Sequence, residues 1–342
     1  MARLTTATEV SSSVGPPSRA VRPHPIRDTL IKRGAIGILT LILVSILVFA
    51  ATQILPGNAA SAVLLNTATP ARLHALEAQL HLNRPAVEQY WTWLVGILHG
   101  NFGSSLANGQ SVGTLVGGRI VNSAVLVVLA GVIGTVLGVG LGVLAAARRD
   151  SALDHVLSVG ALAITALPEF VVAVILVIIF AAVVWHLFPA VSVFVPGSAP
   201  WSNPSELVLP VATLVIVIVP YVFRMMRASM IDALESDYVQ MAQLKGVPRW
   251  RILLVHALPN AIAPTIQVIG LNFLYLAGGV VVVEYVFNYP GLGQALVSAV
   301  SDRDIPQIQC IVLVLAAFYV AVNILTDVVS LAASPRRRLP RS

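Results

Sequence analysis

Residues 120–147 read IVNSAVLVVLAGVIGTVLGVGLGVLAAA, without a charge, between Arg119 and the pair Arg148-Arg149. A hydrocarbon core of about 30 Å takes about 20 apolar residues at helical rise, so this run crosses a bilayer with some tilt. Inside it Gly134, Gly138 and Gly142 recur every fourth residue. That spacing puts small residues on one helix face and lets a neighbouring helix approach closely. The same segment holds Gly140-x-Gly142-x-x-Ala145, an imitation of a dinucleotide-binding turn. No strand precedes it, so helix packing is the better reading.

Further runs of the same kind flank it. Residues 34–55 and 305–326 carry no charge, and 156–185 carry only Glu169. Residues 207–223 are charge-free, and Arg224 and Arg227 just beyond them can snorkel. Residues 252–283 exceed one span, so their first part is expected at the surface. Composition agrees: 57% hydrophobic and 11% charged residues, against about 45–50% apolar and about 25% charged in a soluble domain. A soluble enzyme, a disordered chain and a coiled coil are excluded. The fold class is an all-α membrane protein with six transmembrane helices.

The boundaries follow. A Ser-, Pro- and Arg-rich tail over 1–29 precedes a first helix over 30–55, too long for a signal-peptide core of 7–15 residues. A loop over 56–117 leads to a core over 118–331, with helices near 120–147, 156–185, 207–227, 261–283 and 305–331. A basic tail over 332–342 ends the chain. Of the 21 Lys and Arg, all but Arg72, Arg84, Arg119 and Arg303 fall on the side of the two termini. The positive-inside rule then puts both termini in the cytoplasm. The same distribution makes the net charge of +6 a topology signal rather than a nucleic-acid footprint.

Three loops are informative. In the first outer loop, Leu73, Leu76 and Leu80 have helical spacing, and Tyr90, Trp91 and Trp93 suit a membrane interface. The inner loop 228–260 reads as a helix from Ser229 to Leu244, a stop at Gly246 and a second helix started by Pro248. It is too apolar for a solvated linker, so something must cover it. The last outer loop contains the turn Asn288-Tyr289-Pro290-Gly291. A single cysteine, Cys310, excludes an internal disulfide. The outer-loop histidines His74, His81 and His99 lack the i,i+4 spacing of a helical zinc site. Lys32 follows Ile31 and Lys245 follows Leu244, so neither builds a P-loop.

The inner loop carries a pattern: Gln240-Met241-Ala242, Gly246 after three residues, and His256-Ala257-Leu258-Pro259 after nine more. It resembles the EAA signature, E-A-A-x3-G-x9-I-x-L-P, of bacterial ABC importer permeases. Asp237-Tyr238-Val239 and Asn260-Ala261 look more narrowly like the dipeptide/oligopeptide branch. Leu55-Pro56-Gly57-Asn58, Leu82-Asn83-Arg84-Pro85, Gly100-Asn101-Phe102-Gly103-Ser104-Ser105, Pro290-Gly291-Leu292-Gly293, Asp304-x-Pro306, Asn323 and Asp327 agree in order. The resemblance covers roughly residues 30–338, and the long first outer loop matches the B-type subunit. Departures are Gln240 for Glu, His256 for Ile, Ser334 for Asp, and Glu169 after Pro168 where the family more often has a small residue.

The resemblance implies a type I ABC importer permease fold and a role as half of the translocation path for di- or oligopeptides. It implies coupling to cytoplasmic ATPases through Asp237, Tyr238, Gln240, Met241, Ala242, Leu244, Lys245, Gly246, Val247, Arg249 and His256. ATP and Mg would sit on those partner subunits, with no cofactor in this chain. A second related permease, two P-loop ATPases or one fused, and an extracytoplasmic binding protein would complete the assembly in a bacterial cytoplasmic membrane. Pro168, Glu169 and Glu284 are the candidates for the path. A charge at mid-bilayer costs about 2.5–3.5 kcal/mol on insertion scales. Glu169 therefore either lines the path and attracts a peptide amino group or forms a hydrogen bond inside the bundle. The alternatives are an ion-driven secondary transporter, for which no inverted repeat is visible, or an importer of nickel, glutathione or haem.

Overall fold

In lipid every backbone N–H and C=O must be satisfied within its own segment, which turns long apolar runs into helices. A computed structural model describes residues 25–54, 84–194 and 199–333. The tails and the Leu73, Leu76 and Leu80 stretch lie outside the described residues. Helix α1 is Pro25–Ile54, α2 Ala86–Leu98, α3 Val112–Ala147, α4 Ala152–Thr165 and α5 Glu169–Val177, which runs on into a π turn, Ile178–Ala182. Then come α6, Pro204–Leu234, and α7, Asp237–Leu244. Helix α8 is the continuous run Arg249–Val286 with a π turn at Ile252–Ala257. Helices α9, Leu292–Ser301, and α10, Ile305–Ala333, follow.

Among the described residues five helices, α1, α3, α6, α8 and α10, are long and apolar enough to cross a membrane. The remaining expected span, 156–185, is not one rod: α4 and α5 meet at 105°, and only taken together are they long and apolar enough to count as a span. Pro168 accounts for the break, because proline lacks an N–H and disfavours helical backbone in the residue before it. It stands extended before α5, at φ −60 and ψ 148. Pro210 and Pro220, by contrast, lie inside α6 without ending it. Helix α6 also continues to Leu234, beyond the expected end at 227. The segment 252–260, expected at the surface ahead of a span, is continuous with that span as the base of α8.

The glycine ladder of α3 meets α6, and the two helices run in the same direction. A Cβ on Gly134 would stand 2.5 Å from the Ile218 side chain, on Gly138 2.6 Å from Val222, and on Gly142 2.7 Å from Met226. Both ladders step by four, so small residues meet large ones turn by turn. Helix α8 crosses this pair antiparallel to α3, with Phe273 against Gly131. Leu126, Leu214, Ile218, Leu276 and Val283 fill the core between the three. Helix α10 lies on α8, and α1 lies antiparallel on α10: Arg33 pairs with Asp327 at 2.6 Å and Gln309 donates to Thr52 at 2.8 Å. Ile38, Leu39, Leu43 and Leu47 stay exposed on α1, as a lipid-facing surface requires. Helix α2 is tied to α1: Tyr90 hydrogen-bonds Ser45 at 2.8 Å, and the Tyr90 and Trp93 rings pack on Phe49. Trp91 is the exposed member.

Candidate functional site

The span ends that carry Arg33, Arg149, Arg227 and Arg249 gather at one end of the bundle, the basic end, and α7 hangs from it. Ser236, extended at φ −74 and ψ 150, turns the chain out of α6. Its hydroxyl donates to the Ala233 carbonyl, and Gln240 Nε2 donates to Glu235 O at 3.2 Å. At the other end Gly246 has φ +73, a conformation open to glycine and strained for other residues. Its N–H donates to Gln243 O at 2.9 Å, and Val247 N–H reaches Ala242 O at 3.1 Å. This pair of bonds is a Schellman stop, the termination expected at Gly246. Pro248, extended, starts α8.

Helix α7 has two faces. Val239 and Ala242 point inward and are buried on Ile252, Leu234 and Val247. Ala242 is thus turned inward while Val247 is only half-buried; the small Ala242 lets α7 lie down on the base of α8. Tyr238, Met241 and Leu244 point outward, Leu244 83% exposed, beside exposed Trp250, Leu254 and Val255. Asp237, Gln240, Lys245 and Gly246 share this exposure. Arg249 is partly engaged: its Nη2 donates to the Ala147 carbonyl at 2.6 Å, tying α8 to the end of α3. His256 is half-buried, with Nδ1 3.3 Å from Arg251 O. Asn260 Nδ2 donates to Tyr238 Oη at 3.0 Å. A cleft of about 460 Å³ opens among Ala147, Gln243, Val247, Arg249 and Leu253.

Besides Arg33–Asp327, further ion pairs brace this end. Arg149 pairs with Glu235, and that carboxylate raises the guanidinium pKa above its already high usual value. Arg227 does not snorkel. Its Nε and Nη2 donate to the two oxygens of Asp154 at 2.5 and 2.6 Å, joining α6 to α4. Asp154 is 2% exposed and accepts as well from the Asp150 N–H at 3.1 Å. Sequence reading missed this pair. An acid two residues ahead of an apolar run, and an arginine one turn past another run's end, were the only signals.

At the far end, Glu284 occupies a closed site. It is fully buried, and its carboxylate accepts from Ser123 Oγ at 2.5 Å, Gly293 N at 2.6 Å and Gln294 N at 3.3 Å. It therefore caps the first turn of α9 from another helix, and lines no open path here. Gly291 is what lets it in, because a Cβ there would fall 2.0 Å from Glu284 Oε1. Tyr289 is buried alongside, its hydroxyl donating to Asn122 O at 2.9 Å, and burial raises its pKa. Asp304 holds the first outer loop: it accepts from Ser105 Oγ, and from Leu106 N at 3.1 Å. The Gly100–Ser105 and Asp304-x-Pro306 motifs, far apart in sequence, thus meet.

Glu169 opens α5, and its Oε2 accepts from Tyr275 Oη at 2.6 Å. The Tyr275 and Tyr221 rings lie 6.3 Å apart, and the Arg224 guanidinium sits 5.6 Å from the Tyr221 ring centre. This string of polar groups crosses an exposed face of α6 and α8. Among the described residues no group of three His, Cys, Asp or Glu could hold a metal ion.

Residues 138–339 match the family described as binding-protein-dependent transport system inner membrane component, and residues 27–130 match the N-terminal domain of such membrane components. A probable peptide ABC transporter permease protein of Sinorhizobium fredii is 34% identical over 310 residues, 90% of this chain and 98% of the relative. A putative peptide permease protein of Brucella suis is 36% identical over 88% of this chain and 96% of its own length. The glutathione transport system permease protein of Escherichia coli is 32% identical over 87% of this chain and 95% of its own length. Matched across both of its segments and along nearly the whole length of these relatives, the chain belongs to the binding-protein-dependent inner membrane components, the permease subunits of ABC transporters.

Proposed function

We propose that this permease subunit forms half of a translocation path for peptides in a bacterial cytoplasmic membrane, with the basic end and both termini in the cytoplasm. Two of the relatives above are named for peptide transport and the third for glutathione, itself a tripeptide. A second related permease would close the path, an extracytoplasmic binding protein would deliver cargo, and ATP and Mg would be used on two cytoplasmic P-loop ATPases.

The observation that carries this reading is α7. A short helix that exposes Tyr238, Met241 and Leu244 at a basic membrane face needs a cover. Its inward face and Schellman stop hold it rigid, so a protein docked there can move it as a unit. Lys245 and Arg249 stand ready for acids on that protein. The links to α6 and α8 are only a few residues long, and Arg249 extends the connection to α3. Motion of the docked ATPases is thereby delivered to the helices that wall the path. The break at Pro168 provides a joint in that wall.

The test is gentle purification of the chain from its native membrane, with identification of what accompanies it. A stoichiometric P-loop ATPase together with a second permease is expected. A pure homo-oligomer, under conditions that keep other ABC complexes intact, overturns the reading.

A further inference from the structure

We infer that the string Glu169–Tyr275–Tyr221–Arg224 is a two-ended recognition site for a zwitterionic peptide, with the amino end at Glu169 and the carboxylate end at Arg224. The inference rests on the peptide reading above and adds what part of the peptide this chain recognises.

The first ground is where these groups stand. They come from three elements, α5, α8 and α6, and the string is not closed off: Tyr275 is 42% exposed, Arg224 is exposed, and Glu169 and Tyr221 are half-buried. Around them the exposed surface is apolar, with Phe170, Leu167 and Leu271. Intramembrane charges face a bundle interior or a watery cavity, because lipid contact is costly. This face of α5, α6 and α8 is thereby assigned to the path and not to lipid.

The second ground is that both charges lack an ionic partner. Among the described residues neither Glu169 nor Arg224 forms a salt bridge. Arg227, one turn further along α6, is neutralised by Asp154; Arg224 is left for a ligand. Two tyrosine rings hold the acid and the cation apart, so they do not cancel each other. Tyr275 fixes the carboxylate through one oxygen and leaves Oε1 available. The Tyr221 ring holds the guanidinium by a cation–π contact and leaves its N–H groups available.

The third ground is chemical economy. A carrier of peptides with varied side chains can recognise only what they share, a backbone and two charged ends. Opposite charges separated by aromatic faces match that common part, and flat rings tolerate many side chains. The arrangement also has a direction. Glu169 lies beyond the far end of α4, whereas Arg224 lies one turn from the Arg227–Asp154 pair at the start of α4. A peptide held this way keeps its carboxylate end towards the basic end.

The experiment uses the complete transporter, this chain with its co-purified partners and binding protein, in vesicles. Uptake is compared for one short peptide in three forms: free-ended, N-acetylated and C-amidated. The binding protein is common to every variant, so a change in the ratio of uptakes reports this chain. Loss of a charged hydrogen bond predicts that Glu169→Gln shrinks the free-over-acetylated ratio by about tenfold, and Arg224→Gln shrinks the free-over-amidated ratio by about as much. Tyr275→Phe, which removes only the positioning hydroxyl, should shrink the first ratio and spare the second; it also serves if Glu169→Gln fails to assemble. Unchanged ratios, or equal losses for all three forms, overturn the inference and leave peptide transport standing. A native transporter that takes up no form of the peptide while it moves glutathione-unrelated solutes overturns both.

Discussion

The pairing of Arg227 with Asp154 shows at single-residue scale how this membrane protein spends its few charges. Both oxygens of a nearly fully buried carboxylate are taken by one guanidinium, whose fork geometry suits it. Removing one partner of a buried pair strands the other, at a cost of about 3–5 kcal/mol. Arg227→Leu is expected to destabilise the detergent-solubilised protein by about that much in a thermal or denaturant melt, and adding Asp154→Asn should recover a large part of it. A melt unchanged by Arg227→Leu would show that the pair holds nothing. Neither this pair nor the true setting of Glu284 was legible in the sequence. Position along an apolar run says that an acid is costly; it does not say which residues, 9 or 161 positions away, will satisfy it.

At the scale of elements the sequence was more open. Runs without charge gave the long helices, since burial in lipid leaves the backbone no alternative. The glycine ladder foretold a close helix contact, and Gly246 foretold a helix stop. What periodicity could not give was the sharpness of the turn at Pro168 or the merging of 252–260 into α8. Both depend on what packs alongside, and a proline inside a membrane helix can bend or break it, as Pro220 and Pro168 show side by side. The ladder makes a paired prediction. Gly138→Leu drives a Cβ into Val222 and towards the Val219 carbonyl at 3.2 Å, and overpacking of this kind costs about 1–3 kcal/mol or more. Gly140→Leu, two residues on, meets nothing within 4 Å. The first variant should lower the melting temperature and the yield of monodisperse protein, and the second should match the parent.

At the scale of the whole molecule, an all-α bundle with five or six apolar spans was readable from charge and apolar length. The partition of α7 into a buried face with Val239 and Ala242 and an exposed face with Tyr238, Met241 and Leu244 was not. The exposed face makes its own prediction. Leu244→Asp changes a residue 83% exposed, so the isolated chain should melt within about 0.5 kcal/mol of the parent. If α7 is the dock, the same change at an interface anchor costs about 2 kcal/mol or more, roughly 30-fold in affinity. Reduced recovery of the ATPase and loss of substrate-stimulated ATP hydrolysis should follow, and full stimulation would remove α7 from the coupling route. Helix α8 carries one more consequence. It begins at Arg249, beside α7, and still holds Glu284 under the far cap, so one helix of 38 residues runs from one end of the bundle to the other. If α7 is the dock, a push delivered there would travel along one continuous helix to the Glu284 cap, and the two faces of the bundle would be mechanically interlocked rather than free to loosen separately.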